Sequence, residues 1–211
     1  MVYKSTLNKH HWYDGKFYDT FIAPNQKELF EQIIEFIEPN SCIIDIGCGT
    51  GFFSFSVANK CESVLGIDLS KRNLDKANQN LLKKPASGVT FRHNTVENIL
   101  AEGNQHFDVA ILTYVIHEVN DNERIQLLKN IANVADKIII GDYLIPRPND
   151  MAGKIVRAVE FVAGLDHYRN FRTYEANGGI AYLADKLGME IIDEIKNHTN
   201  HIVILATKSA Y

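Results

Sequence analysis

Short apolar runs along this chain alternate with longer stretches in which apolar residues recur every three or four positions, a rhythm that predicts strands alternating with helices. The runs are Ile43–Ile46, Ser63–Ile67, Val89–Arg92, Phe107–Leu112 and Lys137–Ile140. Strands this uniformly apolar suit a parallel sheet covered on both faces. Between them, Leu29, Phe30, Ile33, Ile34 and Ile37 keep helical spacing after Pro24 and stop at Glu38-Pro39. Phe52 to Lys60 reads as a second helix. Ser70 caps a third, with Leu74, Ala77, Leu81 and Leu82 on one face and Pro85 as its end, and Ile125, Leu128 and Ala132 mark a fourth. Two final runs, Glu190–Glu194 and Ile202–Thr207, are joined by a link too short for a parallel crossover, so they pair antiparallel. The pattern predicts an α/β, doubly wound sheet.

No linker, repeat or low-complexity tract interrupts the chain, so residues 1–211 read as a single domain with a cap segment over 1–38 and an insertion over about 143–174. Inside the insertion, Met151 to Gly164 reads as a lid helix. Ile155, Val156, Val159 and Val162 share one side of it, and Lys154, Arg157 and Glu160 another.

Composition narrows the picture only slightly. The net charge of −4 gives no electrostatic reason to coat nucleic acid or an anionic membrane. Cys42, Cys48 and Cys61 are odd in number, and two of them flank the first strand, so they read as reduced thiols. Met1 to Gly15 lacks the apolar core of a signal peptide, and no apolar run approaches the ~18 residues that span a bilayer. A cytoplasmic address is the expectation.

The chemistry begins where the first strand ends. Ile43-Ile44-Asp45-Ile46-Gly47-Cys48-Gly49-Thr50-Gly51 is a buried strand running into a glycine loop, and Val64-Leu65-Gly66-Ile67-Asp68 ends the second strand on a carboxylate able to hold a ribose. Nicotinamide dinucleotides and S-adenosylmethionine (SAM) both use such a site. A dinucleotide fingerprint needs glycine at position 52, where Phe52 stands; the third glycine comes one residue early, which favours SAM. The stretch Ile43 to Phe53 resembles motif I of class I SAM-dependent methyltransferases, with Asp45 as its acidic residue and Asp68 as the acidic end of the second strand. The resemblance covers about Pro24 to Lys208 and lies nearest the small-molecule enzymes of ubiquinone and menaquinone biosynthesis.

That resemblance implies a Rossmann-like sheet of order 3-2-1-4-5-7-6 with the seventh strand antiparallel. It also implies a cofactor set of Asp45, Gly47, Cys48, Gly49, Gly51, Asp68, Leu69, Asn94, Thr95, Val96 and Thr113. Asn94 stands where the family usually has an acidic residue for the adenine. His117, on the loop after the fourth strand, and Tyr143, after the fifth, are the catalytic candidates; His117 could take a proton near neutral pH. Tyr18, His167 and Arg169 are candidates for the acceptor pocket, with Arg169 pairing with Asp166 as the plainer alternative. The loop Thr113-Tyr114-Val115-Ile116-His117-Glu118 lacks the Pro-Pro and Pro-Cys signatures of nucleic-acid base methyltransferases. No metal-ligand spacing appears, so no metal is expected. The reading is methyl transfer to a small-molecule acceptor, without nucleic-acid or membrane partners, in a chain able to form a homodimer. Its rivals are a nicotinamide-dependent dehydrogenase and a non-catalytic SAM-binding protein.

Overall fold

A computed structural model describes residues 26–207, and these fall into two compact units that divide between Gln105 and His106. The first unit runs α1 (Lys27–Glu35), β1 (Cys42–Ile46), α2 (Phe52–Val57), β2 (Ser63–Asp68), α3 (Lys71–Lys83), β3 (Val89–His93) and α4 (Val96–Glu102). β1 pairs with β2, and β2 with β3, in parallel, placing Asp45 opposite Gly66. Leu29, Phe30 and Ile33 of α1 are buried, and the ring of Phe30 meets that of Phe53 edge-on at 5.3 Å. Each such side chain removed from water contributes about 1.5–3 kcal/mol.

The second unit runs β4 (Phe107–Thr113), α5 (Asp121–Ala132), β5 (Ala135–Tyr143), α6 (Met151–Ala163), α7 (Leu165–Asn177), α8 (Gly179–Leu187), β6 (Ile191–Lys196) and β7 (Asn200–Ala206). β4 pairs with β5 in parallel, whereas β7 lies antiparallel to both β5 and β6. Ile138, Ile139 and Ile140 of β5 and Ile202 to Leu205 of β7 are buried. β6 closes the sheet as an exposed edge, and Asp193, Glu194 and Lys196 on it discourage pairing with another chain. The strand order β3-β2-β1-β4-β5-β7-β6 is the one the resemblance implied. No described helix is long and apolar enough to cross a membrane.

Three local expectations change. The helix expected over Phe52 to Lys60 ends at Val57. A turn after β3 proves to be α4, capped by Thr95, whose hydroxyl accepts from the Asn98 amide at 3.2 Å. The segment after the expected lid helix is itself helical, as α7, and it buries His167, Phe171 and Tyr174 at positions i, i+4 and i+7 of one face.

α6 also turns its faces the other way. Ile155, Val159 and Val162 are 57%, 49% and 61% exposed, while Glu160, expected on the solvated side, is buried. Burying a carboxylate requires partners, and β5, the loop after β4 and α7 supply them. Tyr18 and most of the cap segment lie outside the described residues.

Candidate active site

Gly47, Gly49 and Gly51 all have left-handed backbones, with φ of 72°, 55° and 85°. A side chain is strained in that region, so the three glycines let the chain leave β1 and enter α2 in a tight loop. Asp68 fastens it: one carboxylate oxygen accepts from the Gly49 amide at 2.8 Å, the other from the Ser70 amide at 2.6 Å. The second bond aligns the start of α3, where the Ser70 hydroxyl accepts from the Asn73 amide. The amides of Gly47 and Cys48 donate to the Ile67 carbonyl, tying the loop to β2.

Asp45 is fully buried beneath the loop. Its Oδ2 accepts from the Ser54 hydroxyl at 2.5 Å, and its Oδ1 has no hydrogen-bond partner. Burial pushes its pKa up to about 7, assisted by the charge of Asp68 and opposed by the Ser54 bond. Burial likewise raises the Cys48 thiol well above its ordinary value, leaving a small apolar residue rather than a nucleophile.

The raised pKa fixes the sign of a stability effect. Between about pH 4 and pH 7 the folded chain keeps the Asp45 proton while the unfolded chain has lost it, so this group's contribution falls with rising pH and then levels off. Urea denaturation of the parent and Asp45→Asn across that range is expected to show the variant gaining on the parent, by an amount on the order of a few kcal/mol near pH 7. A gap that does not change with pH would show that Asp45 titrates normally.

A second cluster of polar groups lies within the second unit, at the ends of β4 and β5 and on α6 and α7. Tyr114, just after β4, has φ of 55°, unusual for a side chain of its size, and donates from its hydroxyl to Asn200 Oδ1 at 2.8 Å. The loop it starts delivers His117, which is 2% exposed. Asp142 holds that residue twice: Oδ1 lies 2.7 Å from His117 Nδ1, and Oδ2 accepts from the His117 amide at 3.2 Å. Asp142 Oδ1 also accepts from the Tyr143 amide at 2.7 Å.

On the other edge of the ring, His117 Nε2 is 3.5 Å from Glu160 Oε2, and His167 Nε2 is 2.5 Å from the same oxygen. The Tyr143 hydroxyl donates to Glu160 Oε1 at 2.9 Å. Burial alone would lower the pKa of His117, but Asp142 and Glu160 outweigh it and push it up to about 9. Burial works to raise Glu160, and the charge of His117 with the contact of His167 holds it below its ordinary value instead. Burial and Glu160 raise Tyr143 well above the usual phenol range. The surroundings thus favour the charged form of the His117 ring, which faces Asp142 on one edge and Glu160 on the other.

Residues 43–137 match the methyltransferase domain family. The ubiquinone biosynthesis O-methyltransferase of Nitrosomonas europaea is 34% identical over 115 residues, covering 53% of this chain and 48% of that enzyme. The O-antigen chain terminator bifunctional methyltransferase/kinase WbdD of Escherichia coli is 31% identical over 105 residues, covering 46% of this chain and 14% of that protein. The chain thus spans half or less of the length of these relatives. Among solved structures, the PH0226 protein of Pyrococcus horikoshii superposes with a TM-score of 0.68 at 16% identity, covering 96% of this chain and 97% of that one. Magnesium protoporphyrin IX methyltransferase from Synechocystis, crystallised with S-adenosylhomocysteine, superposes at 0.59 with 16% identity, covering 87% and 82%; at that identity the likeness concerns the fold. Residues 43–137 are a class I SAM-dependent methyltransferase domain.

Within this methyltransferase domain the expected cofactor residues Asp45, Gly47, Cys48, Gly49, Gly51, Asp68 and Leu69 converge around one loop. Asn94, Thr95 and Val96 sit at the β3–α4 junction, where the Asn94 carbonyl already accepts from the Thr95 amide and its amide group reaches Glu102. Thr113 is buried at the end of β4. His117, Tyr143 and His167 meet around Glu160. Arg169 does not join them: its side chain is 75% exposed and bonded to Asp166 at 3.2 Å, the plainer of the two readings. Glu160 and Arg124 are the cluster residues that sequence reasoning passed over, and Asp142 stood in it only as an isolated carboxylate after the fifth strand, too little to claim a metal site. Arg124 hides inside the apolar pattern of α5, and Glu160 looked like part of a solvated face.

Proposed function

We propose that this chain transfers the methyl group of SAM to a small-molecule acceptor, in the cytoplasm, with residues 1–211 acting as one methyltransferase domain. The supporting observation is the left-handed glycine loop fastened by Asp68 over a buried carboxylate with one orphaned oxygen. These groups fit the cofactor. Glycines at 47 and 49 carry no side chain to hold a ligand off the backbone, an orphaned carboxylate oxygen suits the ammonium of an amino acid, and Asp68 is a carboxylate of the kind that accepts from a ribose diol. SAM, once bound, supplies a methyl group already activated on a sulfonium, so the chain's task is to align donor and acceptor and exclude water.

In this reading the acceptor side rests on Tyr143, His117 and His167. His117, held as a charged group between Asp142 and Glu160, serves as a positioning residue rather than as the proton acceptor the sequence suggested. Tyr143 and Phe171 pack edge-on at 5.7 Å beside it and add an aromatic wall suited to an organic ring. The relatives' names point to a hydroxyl as the first acceptor atom to test.

The experiment is calorimetry with SAM and NAD, followed by an assay for S-adenosylhomocysteine release against a panel of hydroxyl-bearing small molecules. Binding of NAD in preference to SAM refutes the proposal, and SAM binding without turnover on any acceptor favours a binding protein. Asp68→Ala is expected to weaken SAM binding by about 1.5–3 kcal/mol, since it removes a charged hydrogen-bond acceptor. A parent-like affinity in the folded variant would refute its role. A homodimer belongs to the same reading, and light scattering tests it.

A further inference from the structure

The sequence sets His117 far from Glu160 and His167, and nothing in their spacing announces a metal centre; folding brings them together from a loop and two successive helices. Their ligand atoms all lie within 4.8 Å of one another, and all three residues are buried. We propose that His117 Nε2, Glu160 Oε2 and His167 Nε2 bind a divalent first-row transition ion of the zinc type.

Four observations carry this. Two imidazoles and a carboxylate are the donor set such ions favour, and three protein ligands leave a fourth position open. Glu160 Oε2 is buried and faces both imidazoles, 3.5 Å from His117 Nε2 and 2.5 Å from His167 Nε2, while Oε1 of the same carboxylate is satisfied by Tyr143. Asp142 takes the Nδ1 side of His117 at 2.7 Å, which turns the Nε2 edge toward Glu160; a carboxylate behind a ligating histidine is the usual second support of a metal.

The distances fit as well. Ligand atoms bound tetrahedrally at about 2.0–2.2 Å stand about 3.3–3.6 Å apart, so an ion requires Oε2 and His167 Nε2 to separate from 2.5 Å by about 1 Å. The ion would take the place of the protons that now hold these groups together, and binding would release them. Its open position would present a Lewis-acidic site to water or to an oxygen of a ligand.

The site is tested on the full chain, apart from methyl transfer. His10 and His11, adjacent in the sequence, are first changed to alanine so that their imidazoles cannot compete for the ion. The metal-free protein is then titrated with Zn2+ by calorimetry and with Co2+ by visible absorption, with Mg2+ and Ca2+ as hard-cation controls. One equivalent of Zn2+ and a four-coordinate Co2+ spectrum are expected, with proton release and no response to Mg2+ or Ca2+.

Glu160→Gln and His167→Gln are expected to weaken Zn2+ binding by at least about 100-fold, and Asp142→Asn by about 10–100-fold. His106→Ala, a change at an exposed histidine paired with Asp136, leaves it unchanged. Where a buried variant fails to fold, ring-nitrogen NMR of the parent decides, because Zn2+ should shift Nε2 of His117 and His167. The proposal is overturned if no ion binds, if binding survives both ligand changes, or if those ring nitrogens do not respond. Because these readouts do not involve SAM, their failure leaves the methyltransferase reading standing, and the reverse holds too.

Discussion

Replacing Arg124 with leucine is expected to cost the fold about 3–5 kcal/mol, read as a lower midpoint in urea. Its side chain is 1% exposed, yet its guanidinium gathers groups from three places. Nε donates to the Ile116 carbonyl at 3.1 Å, and one terminal nitrogen reaches the His117 carbonyl at 3.3 Å, the Thr173 hydroxyl at 3.2 Å and the Asn170 carbonyl. The other terminal nitrogen pairs with Asp121 at 3.0 Å, and the group stands over the Tyr174 ring at 5.5 Å. Leucine removes a donor from three carbonyls of the second unit, and each buried acceptor deprived of its partner costs about 1–3 kcal/mol. Lysine should recover only part of the loss, because one ammonium cannot reproduce a fork of donors. A loss below about 1 kcal/mol for leucine would mean that water replaces the guanidinium at little cost. Since this arginine anchors the carbonyl of His117 to α7, the folded variant should also lose the alignment of His117 with His167.

Valine at Gly51 is expected to destabilise the first unit by about 2–4 kcal/mol and to lower SAM affinity at least about 100-fold. Gly51 has φ of 85°, which a β-branched residue adopts only under strain. Its Cβ would stand 2.5 Å from Phe91 Cζ and 3.0 Å from Phe55 Cε2, two rings already packed edge-on at 5.5 Å. Gly66 faces the same obstruction, with Phe91 Cδ1 at 2.6 Å, so the Phe91 ring occupies the space that two missing side chains leave. Alanine at position 51 should show a smaller loss with the same sign. Thermal melts and SAM calorimetry on the same samples separate the two effects, and a valine variant that melts and binds like the parent would refute this account of the loop.

The parts that were legible in the sequence are those governed by near neighbours. The strands announced themselves because uniformly apolar runs have few alternatives to a sheet covered on both sides. The glycine loop did so because positive φ demands glycine, and Asp68 followed as a carboxylate at a strand end. The reversed last strand followed from the shortness of the link before it. Less was legible from Leu165 to Asn177, where His167 was read only as a pocket candidate beyond the lid helix, although His167, Phe171 and Tyr174 have the spacing of one helix face.

The sequence alone determined the succession of the strands, most of the helices between them and the glycine loop, since these follow from backbone preferences and apolar periodicity within a few residues. Only tertiary structure decided which polar groups are buried. Ile155, Val159 and Val162 looked like the inner face of α6, yet Glu160 is the residue that turns inward. The reason is energetic: a buried carboxylate is tolerable only where Tyr143, His117 and His167 meet it, and those partners come from other elements that no local pattern could bring together.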